Sequence, residues 1–371
     1  MERRDFLTAV AGTTLALSPL VSRAQAKSGS STNPQSLPMN SGKSKRYRPK
    51  HRIGLGGAIG LGNMRRILTE KEAFELLQTA WDEGIRYYDT SPWYGLGISE
   101  RRHAMLLVAQ ELDAYEISSK IGRLLKPDPG YDHEGWKGVN NFNYKYDYSA
   151  SGTRRSIEES LHRMGVPSLD MVFIHDLSPD NDDMGEDWKE YFQTALNGAM
   201  PELTKMREEG LIKGWGMGVN TIPPAWAAIE QSDPDIILLA TRYSLLEHDD
   251  ALNRLFPFAE ERDVSFVLGA PLNSGYLAGK NYYNYNKGAP EHIHQRHEQY
   301  RKLAKELDVD LRTAALQFCN APDVVSAILP GASKPEHIRE NVASMSASVP
   351  SEFWEAAKQQ GLMDEKAPVP S

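Results

Sequence analysis

Four residues in the first half of the chain carry side chains that together could move a proton: Asp89, Tyr94, Lys120 and His175. Each stands at or just past the end of an apolar run. Asp89 closes Ile85-Arg86-Tyr87-Tyr88, and Tyr94 follows within Thr90-Ser91-Pro92-Trp93-Tyr94-Gly95. Lys120 ends Tyr115-Glu116-Ile117-Ser118-Ser119, and His175 ends Asp170-Met171-Val172-Phe173-Ile174. A free tyrosine, with a pKa of about 10, is a poor acid or base near neutrality. A lysine cation beside it favours the phenolate and lowers that pKa. Tyr94 is therefore the expected proton carrier and Lys120 its activator. Asp89 would keep Lys120 charged and in place, and His175 would hydrogen-bond the same substrate oxygen. This is general acid–base catalysis on a carbonyl/alcohol pair. The set holds no hydride source, so it implies a nicotinamide cofactor. Taken singly, each residue has an ordinary explanation, as a structural ion pair or a satisfied polar group at a strand end.

Something must bring these strand ends together. Strand-like apolar runs occupy residues 52–55, 85–89, 116–120, 169–175, 213–218, 236–242, 265–270 and 324–329. Helical patterns lie between them, for example over 71–83, 154–164, 200–209 and 295–307. The alternation reads as α/β, a single-domain (β/α)8 TIM barrel over residues 46–365. A doubly wound sheet is the alternative. The spread of the four polar residues over successive strand ends favours the barrel, where those ends converge on one face. The run from Gly54 to Gly62 is not a dinucleotide fingerprint, because Ile59 stands where a third glycine is needed after Gly54 and Gly56. It reads better as a tight loop at the barrel mouth. The stretch 123–151 is long for a strand–helix connection and carries Trp136, Phe142, Tyr144, Tyr146 and Tyr148. Such rings either wall a substrate pocket or pack on the rim. Trp93 and Trp136 are the candidate substrate-binding rings.

From about residue 47 to 362 the chain resembles the aldo-keto reductases. An Asp, Tyr, Lys, His tetrad carries that resemblance at Asp89, Tyr94, Lys120 and His175. Further segments are similar to the branch of D-threo-aldose 1-dehydrogenases and pyridoxal 4-dehydrogenases. They are Ser91-Pro92-Trp93-Tyr94-Gly95-Leu96-Gly97-Ile98-Ser99-Glu100-Arg101-Arg102, Tyr146-Asp147-Tyr148-Ser149, Arg242-Tyr243-Ser244-Leu245-Leu246 and Pro271-Leu272-Asn273-Ser274-Gly275. The resemblance implies an NAD(P)-dependent oxidoreductase acting on a carbonyl or alcohol, with aldose C1 oxidation to a lactone as the leading case. It implies a cofactor, NAD or NADP, extended across the barrel mouth. Gly57 would then lie near the nicotinamide ribose, and Leu272, Asn273, Ser274 and Gly275 would meet the pyrophosphate. Ser333 and Lys334 would meet the adenosine, and Asn341 the adenine. Asn220 fits a carboxamide contact, with Arg242 as its helper. The chain also departs from the family pattern. Gly331 and His337 stand where a lysine and an arginine grip a 2'-phosphate, which weakens the case for NADP. Ala240 replaces the glutamine that meets the carboxamide, and Gly269 the aromatic that stacks on the nicotinamide. Two rivals remain open: an exported sugar oxidoreductase with a tightly bound, recycled cofactor, and a cofactor-binding regulatory subunit with little turnover.

The N-terminus reads as an address. Arg3-Arg4-Asp5-Phe6-Leu7, the short apolar segment 7–20 and Ala24-Gln25-Ala26 have the order of a twin-arginine signal peptide over residues 1–26. Residues 27–45, rich in Ser, Asn, Gly and Pro, read as a flexible linker. The expectation is export to the periplasm through the twin-arginine (Tat) machinery. The 371 residues are 40% hydrophobic, enough for one large core. A formal net charge of -8 argues against nucleic acid as a partner. The single cysteine, Cys319, cannot form an intrachain disulfide and reads as a core residue. His292, His294 and His297 lack further ligands at suitable spacing, so no metal site is expected.

Overall fold

The computed structural model describes residues 37–139 and 141–370. The expected signal peptide and the first part of the expected linker lie outside them. The rest of that linker, residues 37–45, is tied to the protein body. Asn40 Nδ2 donates to the carbonyls of Pro49 (2.6 Å) and Ser326 (2.8 Å), and Ser44 Oγ donates to Asp263 Oδ1 at 3.1 Å.

Eight parallel strands form one sheet in chain order: β1 Gly54–Gly56, β2 Tyr87–Asp89, β3 Glu116–Ile121, β4 Leu169–His175, β5 Ile212–Val219, β6 Ile236–Ala240, β7 Ser265–Gly269 and β8 Val325–Leu329. Parallel bridges Ile53 to Ile328 and Gly56 to Gly331 join the last strand to the first and close the ring. This is the expected TIM barrel. The strand ends shift by a few residues, with a local cause in β6. The expected run to residue 242 stops at Ala240 because Thr241 turns into the left-handed region (φ 67°).

Both faces of a barrel strand are buried, so each reads as a continuous apolar run rather than an alternating one. Period two still divides the side chains. Tyr87, Met171, Phe173, Ile236, Leu238, Val267, Ala327 and Leu329 form the plug inside the ring. The other parity packs outward against the helices in the larger core. Asp89 is two residues past Tyr87 and His175 two past Phe173, so both point inward, one layer above the plug. Lys120 has the same relation to Ser118, whose Oγ bonds the Tyr87 hydroxyl inside the barrel at 3.1 Å.

The long stretch after β3 is not an irregular loop. It forms an antiparallel hairpin, Arg123–Pro127 paired with Phe142–Tyr146 in the register Arg123 to Tyr146. Its signal was the alternation of Phe142, Tyr144 and Tyr146, which places the three rings on one face.

Gly216 shows how tightly β5 is held between its neighbours. It pairs with Phe173, and a Cβ on it would stand 1.7 Å from the Ile236 carbonyl oxygen. Gly216→Ala is expected to destabilise the protein by about 1–3 kcal/mol, the range for an overpacked core. Urea unfolding measures this; a midpoint equal to that of the natural protein would contradict the contact.

Candidate active site

Lys120 is 1% exposed and Asp89 3%. Lys120 Nζ lies 2.9 and 2.8 Å from the two Asp89 oxygens and 2.8 Å from the Thr90 carbonyl. Ser118 Oγ donates to Asp89 Oδ1 at 2.7 Å. Burial favours the neutral form of each partner, lowering the pKa of Lys120 and raising that of Asp89. The contacts oppose it. Three acceptors surround the nitrogen, and the carboxylate receives the ammonium and a hydroxyl, which is the arrangement a charged pair needs.

Nζ also stands 4.5 Å from the centre of the Tyr94 ring. The ring meets His175 edge-on at 5.5 Å and Trp136 at 5.9 Å. The expectation that Lys120 lowers the Tyr94 pKa is not met here. Burial raises it well above the ordinary value, and Asp89, Tyr285 and Asp176 push the same way. The lysine charge is already neutralised by Asp89, so it gives the phenolate little net help. The surroundings thus favour the neutral phenol of Tyr94.

His175, 6% exposed, is likewise held neutral. Burial lowers its pKa far below the usual value, and the charges of Lys120 and Arg123 add to that. Its Nδ1 lies 3.0 Å from Ser91 Oγ, and its Nε2 3.5 Å from Asp176 Oδ2. The carboxylate favours the proton on Nε2, leaving Nδ1 to accept from Ser91. The imidazole then keeps an N–H donor on the ring that meets Tyr94 edge-on.

A cavity of about 180 Å³ opens over these groups. Tyr94, Lys120 and His175 line it with Trp93, Trp136 and Asn220, so both candidate substrate rings reach it. A second cavity, of about 190 Å³, runs between the loops after β7 and β8. Leu272, Ser274, Gly275, Ser333 and Asn341, all among the expected cofactor residues, line it together. Asn273, Ser274 and Gly275 take left-handed conformations (φ 46°, 60° and 96°), and such strain clusters at ligand sites.

Other expected cofactor residues stand elsewhere. Gly57 lines neither cavity. Its N–H donates to the Asp89 carbonyl at 2.8 Å, and a Cβ would stand 2.6 Å from that oxygen, so the glycine is needed for packing beneath the site. Arg242 also lies outside both linings; it donates to the Asn220 carbonyl at 2.7 Å and pairs with Glu247 at 3.1 Å. Asn273 is fully buried and bonds Asn284 at 2.9 Å rather than facing the cleft. Lys334 is exposed at the start of the helix Pro335–Ser344 and is absent from the cleft lining.

The cations that do line the cleft, Arg65, Lys280 and Arg312, lay outside the sequence expectation. Arg65 follows β1, whereas Lys280 and Arg312, the latter on the helix Leu311–Asn320, lie far apart between β7 and β8, and no local spacing links the three. Tyr285 was missed as well. It follows the short strand Tyr282–Tyr283 and lines the catalytic cavity, with its hydroxyl 3.4 Å from Asn220 Oδ1. Arg65 donates to the Tyr285 carbonyl at 3.2 Å and stacks on Tyr282 at 3.7 Å. This segment therefore straps the loop after β7 to the loop after β1. The left-handed pair Asn284 and Tyr285 (φ 42° and 75°) marks its turn.

The model of the Aldo/keto reductase family matches residues 52–360. A D-threo-aldose 1-dehydrogenase from a Pseudomonas species is 33% identical over 309 residues, covering 80% of this chain and 90% of that protein. A pyridoxal 4-dehydrogenase from Microbacterium luteolum is 35% identical over 328 residues, covering 84% and 94%. Among solved structures, the holo form of an aldo-keto reductase from Bacillus halodurans shares the fold. Its TM-score is 0.64 and its identity 22%, with 89% of this chain and 96% of that one covered.

The buried pair makes one substitution informative for stability. Lys120→Met leaves the Asp89 carboxylate buried without its cation and is expected to cost about 3–5 kcal/mol. Adding Asp89→Asn removes the orphaned charge and is expected to restore part of that loss. Denaturant unfolding of the single and double variants decides it; a double variant less stable than the single one would count against the ion pair.

Proposed function

Because the chain belongs to the aldo/keto reductase family and is an oxidoreductase, we propose that it interconverts an aldose or other aldehyde with its redox partner, aldose C1 oxidation to a lactone being the leading reaction. The observation that carries this reading is the convergence of Tyr94 and neutral His175 on one cavity, above the Asp89–Lys120 pair. A substrate oxygen between them would accept two hydrogen bonds, from the Tyr94 hydroxyl and from His175 Nε2. In reduction the Tyr94 hydroxyl gives its proton to the carbonyl oxygen. In oxidation Tyr94 must first be deprotonated, which burial opposes and rising pH assists. Trp93 and Trp136 supply faces against which an aldose or aromatic aldehyde would lie.

The second cavity fits a nicotinamide dinucleotide. It joins a strained polar turn at Ser274 and Gly275, the buried amide of Asn341 and the cations Arg65 and Lys280, a set suited to an anionic, nucleotide-sized ligand. Bound there, the cofactor would supply the hydride chemistry that the side chains lack. Asn220, Ala240 and Tyr285 of the catalytic cavity would lie nearest its reactive end, with Arg242 holding the Asn220 backbone. The strap from Arg65 to Tyr282 and Tyr285 favours a second reading, in which the cofactor stays bound and is recycled between two substrates. That reading suits export by the twin-arginine signal, which we propose on the sequence pattern of residues 1–26. Nucleotide that survives purification of the full chain would support it; nucleotide lost on simple gel filtration would dismiss it.

Tyr94→Phe should lower turnover by about 10²–10⁴-fold in both directions, with nucleotide affinity nearly unchanged. Steady-state kinetics and a fluorescence titration measure the two, and undiminished turnover sinks the assignment. The protonation states predict the pH dependence. The Tyr94 pKa is raised, so the phenol stays protonated through neutrality; the His175 pKa is lowered, so the imidazole stays neutral on the acid side. Turnover in reduction should therefore be level from about pH 6 to about pH 9. Oxidation should still be rising at the alkaline end. A reduction profile that falls through neutrality would contradict a buried neutral phenol.

A further inference from the structure

A further cavity, of about 280 Å³, lies beside the catalytic one. Trp93, Asp176 and Asn220 line both, so the two share a wall. Arg123 lines the further cavity and is only 5% exposed. Its Nη1 bonds Asp176 Oδ2 at 3.0 Å, and its Nε is buried with no hydrogen-bond partner among the described residues. The guanidinium is clamped between rings, 4.5 Å from the centre of Trp93 and 5.1 Å from that of Tyr146. A guanidinium carries five N–H donors, and an unsatisfied buried donor costs about 1–3 kcal/mol. The ring clamp thus holds a donor-rich group, only partly used by Asp176, at the cavity wall.

The same lining is rich in acceptors. Asp183 takes the hydroxyls of Tyr144 (2.7 Å) and Tyr146 (2.9 Å), and Asp180 takes the Asn220 amide at 3.2 Å. Donors and acceptors lining one cavity beside an aromatic surface match hydroxyl groups, each of which both donates and accepts. The charge balance narrows the match. Asp176, Asp180, Asp182 and Asp183 line the cavity against one guanidinium, itself already paired. An anionic tail would meet a net repulsive lining.

We propose that this annex is a subsite for the hydroxyl-bearing tail of an uncharged substrate, that Arg123 and Asp176 read the tail's hydroxyls, and that the surrounding carboxylates exclude phosphorylated or acidic tails. The proposal rests on the reading of the catalytic cavity given above and deepens it. Asp176 links the two, since one oxygen faces both Arg123 and His175. The tail is thereby registered to the group that would hold the reacting oxygen.

The test is binding, so that it does not depend on turnover. The full chain, saturated with reduced nicotinamide dinucleotide, is titrated calorimetrically with a six-carbon sugar alcohol, its terminal phosphate monoester and 1-propanol. The sugar alcohol should bind at least about tenfold more tightly than either of the others. Arg123→Met should weaken the sugar alcohol by about tenfold and narrow its advantage over propanol. Should that variant fail to fold, Asp180→Asn, at an exposed position, should narrow the gap between sugar alcohol and phosphate ester by about threefold. Equal affinity for sugar alcohol and phosphate ester, no detectable sugar-alcohol binding, or an unaltered preference in the folded variants would overturn the subsite. Selective binding without turnover of any aldose would sink the proposed reaction and leave the subsite standing. Turnover without the selectivity would do the reverse.

Discussion

An ammonium buried inside a protein must be surrounded by acceptors, and much of this site is organised by that requirement. Lys120 is 1% exposed and takes three acceptor contacts, two from Asp89 and one from the Thr90 carbonyl. Those contacts fix the end of β2, the end of β3 and the start of the loop that carries Tyr94. The ring of Tyr94 then packs over the charge at 4.5 Å. An ammonium against an aromatic face is favourable, more so when water is excluded. The pair therefore does more to place Tyr94 than to ionise it.

The same exclusion of water sets the protonation states. The Tyr94 phenol and the His175 imidazole both resist charge, and the ions near them, Lys120 and Asp176, are already paired with Asp89 and Arg123. Two neutral side chains lining one cavity suit the proposed reduction, in which a carbonyl oxygen gains negative charge. Under that proposal oxidation would require a proton to leave Tyr94 first.

Around this fixed centre the chain places its variable parts in the connections, as barrel enzymes do. The hairpin after β3 brings Arg123, Tyr144 and Tyr146 to one side. The strap after β7 brings Tyr282 and Tyr285 to another, where Arg65 ties it to the loop after β1. Acidic residues gather at the annex and basic ones at the cleft between the loops after β7 and β8, so a net charge of -8 conceals two regions of opposite sign.

Local pattern was enough for the barrel, while the inner ring of the site was read from strand ends together with the resemblance to the aldo-keto reductases. Eight apolar runs separated by helical periodicity imply parallel strands buried on both faces, and period two carries Asp89, Lys120 and His175 inward above Tyr87, Ser118 and Phe173. Those features depend on neighbours in sequence, which is why they were legible there. The charge state of Tyr94 was not, because it follows from burial and from Asp89 spending the lysine's charge, and both are properties of the packed barrel. Gly57 and Arg242 line neither cavity, because tertiary packing seats Gly57 against the Asp89 carbonyl and has Arg242 hold the Asn220 backbone and pair with Glu247. Conversely, Arg65, Lys280 and Arg312 share one cleft, and Arg123 and Asp176 share one annex, across gaps in sequence that no spacing rule spans. Sequence determined which strands exist and which side chains point inward; only the closure of the ring decided which distant charges meet, because that depends on where the connections fold back over its mouth.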